Sequence, residues 1–156
     1  MRLAAMLAGL ALTTVTATAQ AQQRPEYGPA INIAAAKKIA AGVLAECAAN
    51  KWNVAVAIVD TYGFLVYFER MENTQTASMD IAIGKARTAA TYRRPTRVFQ
   101  DVINKAPAVA TLPGVIASPG GVPLFVGGKV IGAVGVSGVT GDQDEQCAKA
   151  GIAAGM

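Results

Sequence analysis

The candidate chemistry of this chain lies in a basic segment that runs from Lys85 to Lys105. It carries six positively charged side chains in 21 residues, and Asp101 is its only acid. Lys85 lies among small residues of a predicted helix, so its ammonium group could extend into a cleft and bind an anion. A lysine in contact with solvent is the alternative. The segment suits a small anion, an acidic partner or a neighbouring subunit.

Three arginines follow that lysine at a predicted junction between two helices: Arg93, Arg94 and Arg97. A guanidinium group suits the bidentate capture of carboxylates. The same side chains could instead pair with Asp144 and Glu145 across a subunit boundary, or lie on a solvated face. We therefore consider Arg93 and Arg94 as candidate contacts to a ligand or to a second copy of the chain.

A glycine-rich turn, Gly120-Gly121, precedes Pro123 at the end of a long irregular stretch, residues 104–121. Because glycine has no side chain and tolerates positive φ, its backbone N–H groups can approach a ligand closely. Such long loops are often functional, although the loop could need glycine only to re-enter the sheet. The turn is not a phosphate-binding loop, since the pattern G-x-x-x-x-G-K-[ST] does not occur in the chain.

Two adjacent acids, Asp144 and Glu145, lie in the first turn of the last predicted helix. Neighbouring helical positions point about 100° apart, so the two carboxylates do not naturally share one metal ion or one proton. The helix dipole favours acids at this position without any chemistry. We retain Asp144 as a candidate ligand contact, together with Lys85, and we assign no catalytic and no metal-binding residue.

The chain contains no histidine. This absence excludes imidazole-ligated zinc sites, Ser-His-Asp and Cys-His catalysis, and a histidine-ligated haem. The side chains that remain as conceivable iron ligands are more simply explained as packing residues. They are Tyr62, Tyr67, Tyr92, Met71, Met79 and the two cysteines, Cys47 and Cys147.

The composition and the N-terminus indicate an exported, folded protein. Of the 156 residues, 53% are hydrophobic and 15% are charged, which excludes intrinsic disorder. Residues 1–21 are typical of a secretory signal peptide, because Arg2 precedes an uncharged, largely apolar run of 13 residues and Ala19-Gln20-Ala21 fits a cleavage site. A transmembrane helix needs about 20 apolar residues, so an uncleaved anchor is the weaker alternative and we expect no stable membrane insertion. For a periplasmic or secreted protein we also expect no nucleic-acid partner.

The elements that must position these residues are predicted in the order α-β-β-α-α-β-β-α. Residues 22–31 are polar and contain proline, and we predict a flexible segment there. Asn32 is predicted to cap the first helix, Thr76 or Ser78 the second, and Asp142 the last.

Two predicted hairpins imply antiparallel strands. The first strand, residues 53–60, is almost entirely apolar, which predicts burial on both of its faces. The helices must then cover the faces of the sheet. The predicted fold class is therefore α+β, a layered domain with a central antiparallel sheet flanked by helices.

Four motifs occur together in one order: residues 84–90 (GKARTAA), 120–123 (GGVP), 131–138 (IGAVGVSG) and 143–145 (QDE). In this combination the chain resembles the GlcG/HbpS-like family, also called the haem-degrading domain family, which includes the C-terminal domain of PduO. We assign residues 32–156 to this domain. The resemblance implies a profilin-like fold, assembly into dimers or larger rings such as octamers, and haem or another small molecule as ligand. A chain without histidine departs from the family members that use histidine to bind haem.

The resemblance also implies a disulfide. In the profilin-like arrangement, the strand after Cys47 and the strand before Cys147 are antiparallel neighbours, which brings both cysteines to one corner of the sheet. In an oxidising compartment the two thiols should form a bond, provided that their Cα atoms approach within about 7 Å. Two buried free thiols are the alternative.

Three functions are compatible with these features. The first is an exported homo-oligomer that binds haem or a small organic anion, with helices from residues 76–103 contributing to the subunit contact. The second is an enzyme acting on a small organic acid or on haem, whose general acid or base would have to be Lys85, Asp144, Glu145 or a tyrosine. The third is a non-catalytic partner of a periplasmic redox or sensory system. The basic segment and the glycine-proline loop favour the first.

Overall fold

The computed structural model describes residues 23–156, so the predicted signal peptide, residues 1–21, lies outside the described residues. The helices and strands are α1 (Ile33–Ala49), β1 (Ala55–Val59), β2 (Leu65–Arg70), α2 (Ser78–Tyr92), α3 (Arg97–Ile103), β3 (Gly121–Val126), β4 (Lys129–Ser137) and α4 (Gly141–Gly155). A short 3-10 helix, Pro107–Thr111, interrupts the loop between α3 and β3. The order of the main elements agrees with the prediction. None of the helices in this part of the chain is long and apolar enough to cross a membrane.

The four strands form one antiparallel sheet in the order β2-β1-β4-β3. β1 and β4 are neighbours in the middle, with Ala55 opposite Ser137 and Val59 opposite Ala133. Each hairpin contributes one central strand and one edge strand. α1 and α4 cover one face of the sheet and α2 covers the other. This arrangement confirms the predicted α+β class with a central antiparallel sheet between helices.

β1 is apolar because both of its faces are buried, as the sequence predicts. Val56 and Ile58 belong to the core of larger side chains that includes residues of α1 and α4. Ala55, Ala57 and Val59 belong to a second core, in which the fully buried residues of α2 are alanines. The α2 layer therefore packs on small side chains, and its backbone approaches the sheet closely.

Two glycines permit this close approach. A Cβ atom at Gly135 in β4 would collide with the carbonyl oxygen of Ala82, and one at Gly121 in β3 would collide with the carbonyl oxygen of Lys85. Neither position has room for a side chain. Contact between backbones therefore determines the distance between α2 and the sheet. This distance also determines how far the Lys85 side chain extends past the sheet.

The predicted cap is confirmed for α1 and wrong for α2. Asn32 accepts a hydrogen bond of 2.9 Å from a backbone N–H in the first turn of α1. The N-cap of α2 is Ala77, which makes no side-chain bond, so neither Thr76 nor Ser78 caps this helix. The Ser78 hydroxyl is buried against β4 and accepts a hydrogen bond from Ser137 at 3.2 Å. Burial against the sheet thus gives Ser78 a partner other than the helix terminus.

The predicted cap of α4, Asp142, is also wrong. The helix begins at Gly141, and the preceding Thr140 forms a reciprocal capping box with Gln143. Asp142 lies inside the first turn and pairs with Arg97 instead. Thr140 and Gln143 satisfy two backbone N–H groups at once, which explains the earlier start of the helix.

Residues 26–31, which the sequence predicts to be part of a flexible segment, lie beside the first residues of β4. The backbone N–H groups of Gly28 and Ile31 donate to β4 carbonyls at 2.8 Å. β1 ends opposite Ala133, so the N-terminal part of β4 has an open edge at this point. The segment makes these bonds because the edge offers partners for its own backbone groups.

Candidate functional site

Two of the predicted ligand contacts, Lys85 and Asp144, form a buried ion pair. Lys85 Nζ donates to Asp144 Oδ2 at 2.7 Å and to the carbonyl of Val136 at 3.1 Å. The other carboxylate oxygen of Asp144 accepts a hydrogen bond from the backbone N–H of Val139 at 3.2 Å. Both charged side chains are only 2% exposed. The pair therefore joins α2, β4 and α4 out of contact with solvent.

Burial raises the pKa of the Asp144 carboxyl above its ordinary value, because desolvation disfavours the charged form. The Lys85 ammonium and the backbone N–H groups of Val139 and Gly138 act in the opposite direction. Each charge is thus buried and already paired. These two residues therefore offer no solvent-accessible acid or base to the enzyme that was considered as the second function.

Gly120 allows the loop before β3 to cover this ion pair. Its φ is +119°, a conformation that glycine adopts readily. A Cβ atom at this position would lie 2.8 Å from Asp144 Cβ and 3.1 Å from Lys85 Nζ. The glycine predicted to approach a ligand therefore approaches the ion pair of its own chain.

Gly121 and Pro123, the other residues of the glycine-proline motif, lie in β3. The Gly121 N–H donates to the Thr96 hydroxyl at 2.9 Å, and Pro123 is buried opposite Ala133 of β4. The structure thus places Gly121 against the backbone of Lys85 and Pro123 further along the strand. A ligand contact by either residue stays a prediction.

Arg93 and Arg94 contact different elements. Arg93 ends α2 in the left-handed conformation, with a φ of 55°. Its Nη1 donates to the Pro25 carbonyl at 2.9 Å, and its guanidinium carbon lies 5.1 Å from the centre of the Tyr27 ring. The Arg94 guanidinium carbon lies 5.6 Å from the centre of the Phe99 ring in α3. The left-handed turn separates two side chains that are adjacent in the sequence.

Arg97 pairs with acids of its own chain. Its guanidinium contacts Asp142 and Glu145 in the first two turns of α4. Asp144 faces Lys85 instead, so the adjacent acids of α4 point to different partners, as predicted. These pairs form within one chain, whereas the sequence left open a pairing across a subunit boundary.

An open cleft of 460 Å³ lies on the side of α2 that faces away from the sheet. Its walls are the turn between β1 and β2, the outer face of α2 and the loop that precedes β3. The lining residues are Tyr62, Gly63, Phe64, Gly84, Arg87, Thr91, Pro113, Gly114, Val115 and Ile116. The α2 positions 84, 87 and 91 recur at helical spacing, so one face of the GKARTAA motif lines the cleft. The face that carries Lys85 packs on the sheet.

Asp60 shapes the turn that presents two aromatic side chains to the cleft. Its Oδ1 accepts hydrogen bonds from the backbone N–H groups of Tyr62 at 2.8 Å and Phe64 at 2.9 Å. These two residues are 78% and 68% exposed. Arg87 Nε donates to the Gly63 carbonyl at 3.1 Å and so joins the turn to α2. Two exposed aromatic rings and a guanidinium group therefore form one side of the cleft.

Thr88 and Gly84 hold the loop against α2. The Thr88 hydroxyl donates to the Gly114 carbonyl at 2.8 Å and accepts from the Ile116 N–H at 2.9 Å. A Cβ atom at Gly84 would lie 2.8 Å from Ile116 Cγ1, so glycine permits the contact. The loop that the sequence indicates as functional thereby supplies an apolar wall of the cleft.

A second hollow of 460 Å³ lies next to the cleft. It is lined by Tyr27, Gly28, Thr61, Tyr62 and Thr91. Because Tyr62 and Thr91 line both spaces, Tyr62 is accessible from the cleft and from the second hollow.

Tyr62 differs from the other three tyrosines of the chain. Tyr67 donates to Glu69 at 2.6 Å, and this hydrogen bond raises the pKa of the Tyr67 hydroxyl. Tyr27 and Tyr92 donate to backbone carbonyls. The Tyr62 hydroxyl makes no hydrogen bond in the described part of the chain and lines both hollows. It is therefore the tyrosine oxygen most available to a ligand or a metal ion.

The sulfur atoms considered above as iron ligands have other partners. Cys47 of α1 and Cys147 of α4 form a disulfide with Cα atoms 5.7 Å apart, which confirms the predicted bond. Met71 packs against the larger core, and Met79 Sδ accepts a hydrogen bond from Arg70 at 3.8 Å. None of these four sulfur atoms lines the cleft.

Sequence patterns point to only a few of the cleft residues. Tyr62 stands out as a conceivable iron ligand and Arg87 as a member of the basic segment, but Phe64 and Ile116 do not. Two signals could have found more of the site: aromatic residues on both sides of a turn glycine, and the helical recurrence of positions 84, 87 and 91. The contact between α2 and the loop has no comparable signal.

The four-stranded antiparallel sheet, with two helices on one face and an alanine-packed helix on the other, defines a small three-layered α+β domain. Within that class, the family model described as "Haem degrading protein HbpS-like" matches residues 31–153. The chain belongs to this HbpS-like family.

Relatives with known sequences and structures agree with this assignment. The chain is 40% identical to protein GlcG of Escherichia coli strain K12 over 93 residues, 59% of this chain and 69% of GlcG. A double mutant of Streptomyces reticuli HbpS is 29% identical, with a TM-score of 0.77, over 93% of this chain and 97% of that one. A structure described as a PduOC–heme complex is 26% identical, with a TM-score of 0.74, over 80% of this chain and 94% of that one.

Proposed function

We propose that this chain is an exported, oligomeric protein that binds a small planar anion, with haem as the leading ligand. The cleft beside α2 carries the proposal, because Tyr62 and Phe64 are exposed there next to the Arg87 guanidinium. Aromatic side chains exposed together are typical of a binding surface. The volume of 460 Å³ lies within the range of about 300–1,000 Å³ found for small-molecule sites.

The side chains of the cleft fit haem. Tyr62, Phe64 and Ile116 offer apolar contacts to a flat ring, and Arg87 offers a positive charge to a propionate. The Tyr62 hydroxyl is the oxygen that could ligate iron in place of histidine, since tyrosine is the iron ligand in some haem proteins. Bound haem would supply a redox-active iron. The residues of this chain hold the ring and neutralise its carboxylates.

The relatives support this class of ligand. PduOC is described in complex with heme, and the family is described by haem degradation. The relatives thus suggest the kind of molecule, and the cleft supplies the residues that would bind it.

In this proposal the buried residues act on the ligand through α2. Lys85, Gly120 and Asp144 determine where α2 lies, and α2 carries Arg87. Gly121 acts in the same way, because the absence of a side chain lets β3 lie against the backbone of α2, and its N–H group bonds Thr96, which follows α2.

We also propose export to the periplasm or to the outside of the cell. The signal-peptide pattern of residues 1–21 supports this localisation. The disulfide between Cys47 and Cys147 supports it as well, because such bonds persist mainly in oxidising compartments.

Tyr62→Phe is expected to weaken haemin binding while leaving the fold intact. The wild-type chain is expected to bind haemin at micromolar concentrations with a shifted Soret band. Tyr62→Phe keeps the ring but removes the candidate iron ligand, so the shift should be lost. Arg87→Met removes a charge-assisted contact to a propionate and should weaken binding by about tenfold or more. Absorbance titrations with ferric and reduced haem measure both effects.

Tyr67→Phe is the matched control, since this hydroxyl contacts Glu69 on β2 and lies outside the cleft. It is expected to bind haemin like the wild type. A flat response of the wild type would exclude haem as the ligand. Equal losses in the two tyrosine variants would exclude the cleft as the site.

Light scattering is expected to show a dimer or a larger assembly. Large apolar side chains are exposed on both edge strands: Leu65 of β2, and Phe125 and Val126 of β3. Apolar surface of this kind is typical of contacts between chains, and we propose that α2 and α3 contribute to the contact. A mass no larger than the 16.0 kDa of one chain, at micromolar concentration, would contradict the prediction.

A further inference from the structure

A separate pocket of 320 Å³ lies between the end of α2, α3 and the loop that follows α3. Its lining combines two arginines with apolar side chains, chiefly Arg24, Arg94, Phe99, Val102, Val109 and Leu112. None of these residues lines the cleft that carries the proposed function. Tyr92 lies between the two spaces, because its ring lines this pocket while its hydroxyl donates to Pro113 in the wall of the cleft.

The charged residues that line the pocket, among those that the structure describes, are all positive. Its lining contains two guanidinium groups and no carboxylate. Arg94 Nε is buried and has no hydrogen-bond partner among residues 23–156. The neighbouring Arg97 is different, since Asp142 and Glu145 satisfy its guanidinium. Neither Arg24 nor Arg94 forms an ion pair with an acid among residues 23–156, so a bound anion would supply the counter-charge that both guanidinium groups lack.

The rest of the lining suits an apolar group. Val102 and Leu112 are 37% and 40% exposed although they line a concave surface, and the Phe99 ring lies under the Arg94 guanidinium. Contact with an apolar group would remove Val102 and Leu112 from water. A volume of 320 Å³ is near the lower end of the range of about 300–1,000 Å³ for ligand sites, so the occupant is small.

We propose that this pocket binds a small monocarboxylate with an apolar chain or ring. The carboxylate accepts hydrogen bonds from Arg94 and Arg24, and the apolar part lies against Phe99, Val102 and Leu112. Two guanidinium groups at one end of an apolar hollow match the charge and shape of such a molecule. The site is independent of the cleft and does not depend on haem binding.

An NMR titration of the full mature chain with octanoate tests this proposal. Backbone amide shifts are expected to change at residues 94–112, with saturation. Octanamide has the same chain without the negative charge and should bind at least about tenfold more weakly, since a charged hydrogen bond contributes ~1.5–3 kcal/mol. Arg94→Gln should lower the octanoate affinity by a similar factor.

Two further variants complete the test. Arg24→Gln should also weaken octanoate binding. Because Arg24 is exposed, this variant keeps the test valid if Arg94→Gln fails to fold. Lys105→Gln removes a nearby exposed charge outside the pocket and should leave the affinity unchanged. Three results would each overturn the proposal. The first is that octanoate changes amide shifts only at residues 62–64 and 113–116, and the second is that octanamide binds as tightly as octanoate. The third is that Arg24→Gln and Lys105→Gln lower the octanoate affinity equally.

Discussion

Lys85→Met is expected to lower the free energy of unfolding by about 3–5 kcal/mol at neutral pH, the usual loss when one partner of a buried ion pair is removed. The substitution keeps the length and the apolar part of the side chain but leaves the Asp144 carboxylate buried without its counter-charge. It also removes the hydrogen bond to Val136. Urea unfolding of the wild type and the variant measures the difference.

The pH dependence distinguishes this cause from a packing defect. Burial already raises the pKa of Asp144, and without the Lys85 ammonium this pKa rises further above the unfolded value. The folded state then binds the proton more tightly, so its stability is retained at acid pH and lost as the pH rises through the folded pKa. The destabilisation by Lys85→Met should therefore be smaller at about pH 4 than at about pH 7.

Lys129→Met serves as the control, because Lys129 forms an exposed ion pair with Glu26 at 3.1 Å. Such pairs contribute about 0–1 kcal/mol, and the loss should be correspondingly small. Adding Asp144→Leu to Lys85→Met removes the orphaned charge and should recover part of the stability. Equal losses for the two lysine variants would show that burial of the pair does not matter.

Reduction of the disulfide is expected to destabilise the chain by up to about 4–5 kcal/mol, the chain-entropy value for a loop of this length. The bond joins Cys47 to Cys147 across a sequence separation of 100 residues, and it connects α1 to α4. Breaking it allows the unfolded chain far more conformations. Thermal or urea unfolding with and without a reductant measures the loss.

The variant with Cys47→Ser and Cys147→Ser controls for other effects of the reductant, since its stability should not respond to reduction. Intact mass after denaturing alkylation checks the bond itself. The oxidised chain should take up no alkyl group until it is reduced. Two additions without reductant would mean that the bond does not form.

Much of the fold follows from local patterns. The apolar run of β1 predicts burial on both faces, and the two hairpins predict an antiparallel sheet. Asn32 caps α1 as expected because asparagine directly precedes an apolar helical stripe. The same reasoning fails where a side chain has another partner. Ser78 accepts a hydrogen bond from Ser137 of β4 and does not cap α2, and Thr140 and Gln143 cap α4 in place of Asp142.

The candidate site is less predictable because its parts come from distant segments. The small residues around Lys85 are visible in the sequence, but its partner Asp144 lies 59 positions away, so nothing local shows that the lysine is buried. The cleft combines a turn, a helix face and a loop, and Thr88 brings the last two together. The side chains of adjacent residues can also contact different elements, as those of Arg93 and Arg94 do because Arg93 has the left-handed conformation.

The most direct test of the proposed function is a crystal structure of the mature chain grown with haemin. Haemin is expected in the cleft beside α2, with its ring against Phe64 and Ile116, a propionate at Arg87 and the iron within reach of the Tyr62 hydroxyl. Haemin bound in the Arg24–Arg94 pocket, or at any site that does not include Tyr62, would contradict the proposed function.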